Sequence, residues 1–147
     1  MPVDWEKAQH KAARTARWAV TMTKVRIRRA VARTRWQLVT FYGKRGGESA
    51  GIVDLLAIRK DHGLPRPGMK RGDPLQIILI QVKGGGAAMP TANDGIRLRA
   101  VAKRHSAEQS LLGIWKKGKA ARFFRLRPRA SHADDWTEVI NLDEIFQ

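Results

Sequence analysis

The chain has 147 residues, with 29 Lys and Arg against 13 Asp and Glu, and no cysteine. That length suits one compact domain, and 43% hydrophobic residues suffice for a core, so wholesale disorder is excluded. The lack of cysteine excludes a disulfide scaffold, Cys-ligated zinc, Fe–S clusters and a thiol nucleophile; no apolar run approaches the roughly 18 residues of a membrane span and no secretory leader opens the chain, so a cytoplasmic location is expected.

Charge is unevenly spread. Residues 131–147 hold Asp134, Asp135, Glu138, Asp143 and Glu144 and no Lys or Arg. Residues 1–130 therefore hold all 29 basic residues against eight acidic ones, a formal +21. Such a field favours a polyanion, and DNA or RNA rather than a membrane, because the basic residues are not confined to one amphipathic segment. The acidic tail either packs on the basic body or competes with its ligand.

The elements follow in chain order. Asp4 is an N-cap for a helix beginning at Trp5, with Trp5, Ala8, Ala12, Ala16, Ala19 and Val20 recurring at helical spacing as a core-facing stripe. A second helix, or a continuation, runs from about Thr23 to Arg35. Residues 36–42, rich in β formers, read as a strand. Residues 43–47 form a glycine-rich turn, and 52–58 a second strand. Residues 60–74 are a loop by their Gly, Pro and charge content. Residues 75–82 are the strongest strand, apolar on both faces as the middle of a covered sheet requires. A helix follows Asn93 through about Arg104, with Ile96, Ala100 and Val101 facing inward. Residues 110–115 and 121–126 read as paired strands, and 136–146 as a short strand and a helical turn. This order predicts an α/β fold, a single domain with a central mixed β-sheet flanked by helices.

One constellation carries chemistry. If strands 52–58 and 75–82 pair antiparallel with Arg59 opposite Gln76, the same register sets Asp54 opposite Gln81. Alternation then puts Lys83 on the face of Gln81. An Asp oxygen and a neighbouring amide oxygen suit Mg2+, which favours hard oxygen donors. A Lys two residues along can orient a water or stabilise developing charge.

The segment GGESAGIVDLLAI, the loop, and LQIILIQVKGGG resemble the PD-(D/E)XK nuclease superfamily, in particular its archaeal Holliday-junction resolvase and VRR-NUC branches. The resemblance implies a restriction-endonuclease-like fold over residues 1–147: a basic helical segment 1–35, a nuclease core 36–126 and an acidic extension 127–147. It implies Asp54 as metal-binding residue, Lys83 as catalytic lysine, and Gln81 in the place usually held by Asp or Glu. Val53 stands where Pro is usual. Many members add a carboxylate from the first helix, for which Glu6 is the candidate; a first-turn Glu also simply favours the helix dipole. Glu48 is a second candidate carboxylate, or a plain surface charge. The cofactor implied is Mg2+ or Mn2+, the products carry 5′-phosphates, and the resolvase branch acts as a homodimer.

Other residues have plainer roles. His10, His62, His105 and His132 show no paired metal-ligand spacing. Gly84, Gly85 and Gly86 are no phosphate-binding loop, since the Lys precedes them; they let backbone approach DNA or turn sharply. The five Trp residues are expected mostly in the core. Ser49, Lys44, Arg45, Arg97, Arg99, Lys103, Arg104, Lys116, Lys117 and Lys119 are candidate nucleic-acid contacts, phosphate-directed and hence weakly sequence-selective. The expected function is a metal-dependent DNA endonuclease acting on duplex or branched DNA. The alternatives are a non-catalytic nucleic-acid-binding protein on the same fold, and a small RNA-binding protein.

Overall fold

The computed structural model describes residues 4–43, 50–128 and 135–147. Six strands form one mixed sheet, flanked by two helices. In chain order these are α1 (Trp5–Val31), β1 (Gln37–Thr40), β2 (Leu55–Lys60), β3 (Leu75–Gly84), α2 (Ala92–Arg104), β4 (Gln109–Trp115), β5 (Arg122–Leu126) and β6 (Trp136–Val139), with a 3-10 turn at Leu142–Glu144. The spatial order of the strands equals their chain order. Every neighbouring pair is antiparallel except β3 and β4, which are parallel. A parallel pair needs a crossover, and α2 supplies it. The single α/β domain expected from the element order is what the described residues form.

Alternation along β3 sorts the core into two layers. Ile78 and Ile80 face α1, where Leu55, Ala57, Leu111 and Phe123 meet Ile27, Val31 and Phe146. Ile77 and Leu79 face α2, joining Ile52, Leu98 and Leu126. Residues buried on both faces explain why this strand reads as a continuous apolar run rather than an alternating one.

The basic N-terminal segment is one helix of 27 residues, about 40 Å long. The join near Thr21–Val25 stays helical because Thr23 and Ile27 are fully buried on the sheet, a tertiary contact that outweighs weak β-branched propensity. The core stripe, however, begins only at Ala19. Residues 5–14 are exposed on every side, Trp5 (73%) and Trp18 (53%) included, which corrects the expectation of a core-facing stripe from Trp5. The sheet ends beneath Thr15, so none of the described residues covers the first three turns. Trp36 is buried and Trp115 and Trp136 half-buried, as expected of core aromatics.

Two further differences are shifts of phase. The second strand begins at Leu55 rather than Ile52, because Ile52 enters the layer beneath α2 before pairing starts. On α2 the buried residues are Gly95 and Leu98, whereas Ile96 is 58% exposed and Ala100 exposed. The helix starts earlier than expected, at a capping box: the Thr91 hydroxyl accepts from the Asp94 amide at 3.2 Å, and the Asp94 carboxylate accepts from the Thr91 amide at 2.9 Å.

Candidate active site

The β2–β3 pairing has Arg59 opposite Gln76 and Leu55 opposite Ile80. That ladder ends there, and Asp54 and Gln81 are the residues adjoining it on the two segments. Asp54 itself precedes β2, yet its backbone is fixed on both sides. Its amide donates to the Ile80 carbonyl at 2.9 Å, and its carbonyl accepts from the Phe41 amide at 3.2 Å. Its Oδ2 accepts from the Val82 amide at 2.7 Å, a short charge-assisted bond that lays the carboxylate along the end of β3. Leu55 and Ile80 point towards α1, so Gln81 and Lys83 point towards α2. Gln81 is buried, at 6% exposure, and its Oε1 has no hydrogen-bond partner among the described residues.

Buried amide oxygens are nearly always paired, because an unpaired one forfeits its hydration. An orphaned Oε1 between the two β3 residues whose backbones hold a carboxylate is therefore a place where a cation would fit. The donor set is all oxygen, which suits a hard divalent ion, and it brings a single formal negative charge. No group of three His, Asp or Glu that could hold a metal occurs among the described residues.

Sequence reasoning missed one neighbour of this site. Asp94, in the first turn of α2, lies within electrostatic reach of Lys83. The Thr91 amide bond holds its carboxyl below the ordinary value; burial opposes this, and the Thr91 hydroxyl, Lys83 and Arg97 add to the lowering. The Thr91–Asp94 spacing of a capping box was the signal available in the sequence. Glu6, by contrast, sits exposed in the first turn of α1. The helix meets the end of β3 at Thr15 and Ala19, which lie against Gly84 and Gly85. Glu6 is nine residues upstream of Thr15, roughly 13 Å along the axis, and α1 lies on the face of β3 opposite to Gln81 and Lys83.

The candidate phosphate contacts divide. Lys44, Arg45 and Ser49, and with them Glu48 and most of the 43–47 turn, lie outside the described residues. Lys103, Arg104, Lys116, Lys117 and Lys119 are exposed. Arg97 is exposed and 3.9 Å from Asp94. Arg99 is committed elsewhere: Nε donates to the Arg127 carbonyl and Nη2 to Asp135, each at 2.8 Å, with the side chain only 17% exposed. Together with the Arg122–Glu138 pair, in which each partner holds the other in its charged form, this ties acidic residues of the C-terminal segment onto the basic body. Arg99→Ala is expected to lower unfolding free energy by about 1–3 kcal/mol, by stranding Asp135 and a carbonyl, while changing DNA affinity little; urea unfolding beside a binding titration checks both.

No protein-family profile matches the chain, and no curated protein matches it in sequence. Among solved structures it is similar to Hjc, a Holliday junction resolvase from the archaeal hyperthermophile Archaeoglobus fulgidus, with a TM-score of 0.46 and 13% identity over 84% of this chain and 97% of that one. Among the described residues no helix is long and apolar enough to cross a membrane.

Proposed function

We propose that the chain is a metal-dependent nuclease that hydrolyses phosphodiester bonds of DNA at the Asp54–Gln81–Lys83 end of β3. The observation that carries this reading is the buried Gln81 Oε1, without a partner among the described residues, on the residue between Ile80 and Val82, whose backbones anchor Asp54, and two residues before Lys83. Asp54 and Gln81 would hold Mg2+ or Mn2+ through oxygen. Bound there, the ion would polarise a phosphate and lower the pKa of a water. Asp54 keeps its carboxylate in place through the Val82 amide. Lys83 offers an ammonium on the face of Gln81, where it can orient the attacking water or stabilise charge on the phosphate. The surrounding +16 chain attracts the substrate without reading bases, which fits selectivity for DNA shape. Cutting both strands of a duplex or junction would need two copies of the site, so the proposal carries a homodimer with it.

Cleavage of a four-way junction and of matched linear duplex, with Mg2+, Mn2+ or EDTA, tests the reading. Nicking is expected with either metal and not with EDTA, and Lys83→Ala is expected to slow it by about a hundredfold to a thousandfold. DNA binding with no cleavage in either metal would overturn the reading. It would favour a non-catalytic binder, for which the neutral amide of Gln81 is the specific observation.

A further inference from the structure

At the other end of β2 from Asp54, roughly 20 Å along the strand, the surface folds into a cavity of about 500 Å3. Arg33 and Arg35 reach it from beyond α1, Arg59 and Lys60 from the end of β2, and Asp61 and His62 from the loop that follows. Arg59 shares the α1 face of β2 with Leu55 and Ala57, the face opposite to Gln81 and Lys83. The cavity is therefore separate from the candidate active site in both position and facing.

Arg59 is held in place rather than left to sample solvent. Its guanidinium carbon lies 4.3 Å from the centroid of the buried Trp36 ring, which in turn packs edge-on against Phe146. Its Nε donates to Gln76 Oε1, and Gln76 Nε2 donates to Glu108 at 3.1 Å. A guanidinium braced flat by a ring and an amide has already lost its rotamer freedom, so little is spent when it forks onto an oxyanion. The lining side-chain carboxylate is engaged with the loop: Asp61 accepts from the Gly63 amide at 2.8 Å and lies 3.9 Å from Arg66, while Gln147, the last residue of the sequence, also lines the space. Four basic side chains thus line one open recess of nucleotide size.

We propose that this cavity binds a phosphate group, carried either on the backbone of a nucleic acid or on a free nucleotide. The inference goes beyond the nuclease reading, because neither Asp54 nor a metal takes part. Arg59, planar and fixed, would take two phosphate oxygens, with Arg35 and Lys60 completing the charge.

Calorimetric titration in EDTA with thymidine 5′-monophosphate, thymidine and a short DNA duplex tests it. The nucleotide is expected to bind and thymidine not. Arg59→Lys keeps the charge and loses the fork, and should weaken the nucleotide about tenfold. Arg35→Gln with Lys60→Gln, both at exposed positions that cannot unfold the chain, should weaken it at least as much. Lys7→Gln with Lys11→Gln removes equal charge at the far end of α1 and should leave nucleotide binding unchanged. A parallel loss of duplex affinity in the cavity variants identifies backbone phosphate as the ligand; loss confined to the nucleotide identifies a free one. Nucleotide binding intact in Asp54→Asn, where cleavage is lost, keeps this site distinct from the catalytic proposal. Thymidine binding as well as its phosphate, no nucleotide binding, or an equal loss from the Lys7/Lys11 pair would each overturn it.

Discussion

Gln81→Glu is expected to tighten Mg2+ binding about tenfold to a hundredfold, while Asp54→Asn abolishes it. Both follow from one count of charge. The native pair offers a divalent ion one carboxylate and one neutral amide oxygen, so a second negative charge a few ångströms from the ion adds attraction of a few kcal/mol at the effective dielectric of a half-buried site. Removing the only negative charge leaves two amides, which cannot compete with water for the ion. The substitution should have the opposite effect without metal. A buried carboxylate beside Asp54 would be pushed up in pKa by burial and by like charge. Its folded-state pKa then exceeds the unfolded one, so the variant is less stable than the native chain at neutral pH in EDTA. That deficit shrinks as pH falls through the raised value. Calorimetric titration and thermal unfolding, with Mg2+ and with EDTA between pH 5 and 8, read both effects. Equal Mg2+ affinity in the native chain and both variants would remove the metal site from the proposal.

Gly84→Ala is expected to destabilise the fold by about 1–3 kcal/mol, the usual range for overpacking a close contact. A Cβ at Gly84 would stand 2.5 Å from the Ala19 Cβ and 3.3 Å from the Thr15 carbonyl oxygen. Neither can yield, since both belong to the body of α1. The next residue, Gly85, adopts φ +62 with Thr15 Cγ2 2.7 Å from where its Cβ would be, so it is barred twice over. Gly86 has nothing within 4 Å, so Gly86→Ala should be near neutral and serves as the control. Ala19→Gly in the Gly84→Ala background should recover part of the loss, so the two changes are non-additive. Because Gly84 directly follows Lys83, the single variant should also lower cleavage in proportion to how far the end of β3 is displaced. Urea unfolding of the native chain, Gly84→Ala, Ala19→Gly and the double variant measures the coupling; strict additivity would mean that α1 does not bear on Gly84.

These glycines show where sequence reasoning stopped. Their small size was read as freedom for DNA approach or for a sharp turn; the chain does turn there, with Gly85 at φ +62 and the Ala87 amide donating to the Gly84 carbonyl at 3.2 Å, and what went unread is that Gly84 and Gly85 also admit a helix lying on the strand end. The partner, α1, is some 70 residues away in the chain, and no local pattern announces such a contact. Arg99 was misplaced for the same reason. On a helical wheel it belongs with the outward cations, yet Asp135 and the Arg127 carbonyl, brought in from beyond β5, draw it half inside. Ile96 went the other way, because Gly95 and Leu98 set the phase of α2 against the sheet.

What the sequence determined by itself was everything carried by period and spacing. The six strands, the helix after the third and the apolar run of β3 all follow from side chains repeating at two or at 3.6 residues, and the register assumed for the hairpin, Arg59 opposite Gln76, holds from Leu55 to Lys60. What only the tertiary structure decided was burial and company: that Gln81 is closed off with its oxygen unpartnered among the described residues, that Asp94 comes within reach of Lys83, that Glu6 stands turns away from the site, and that Arg59 is braced beside a basic cavity. Pairing rules are local and repeat along the chain. Which groups lose water together depends on elements far apart in sequence, and no spacing encodes it.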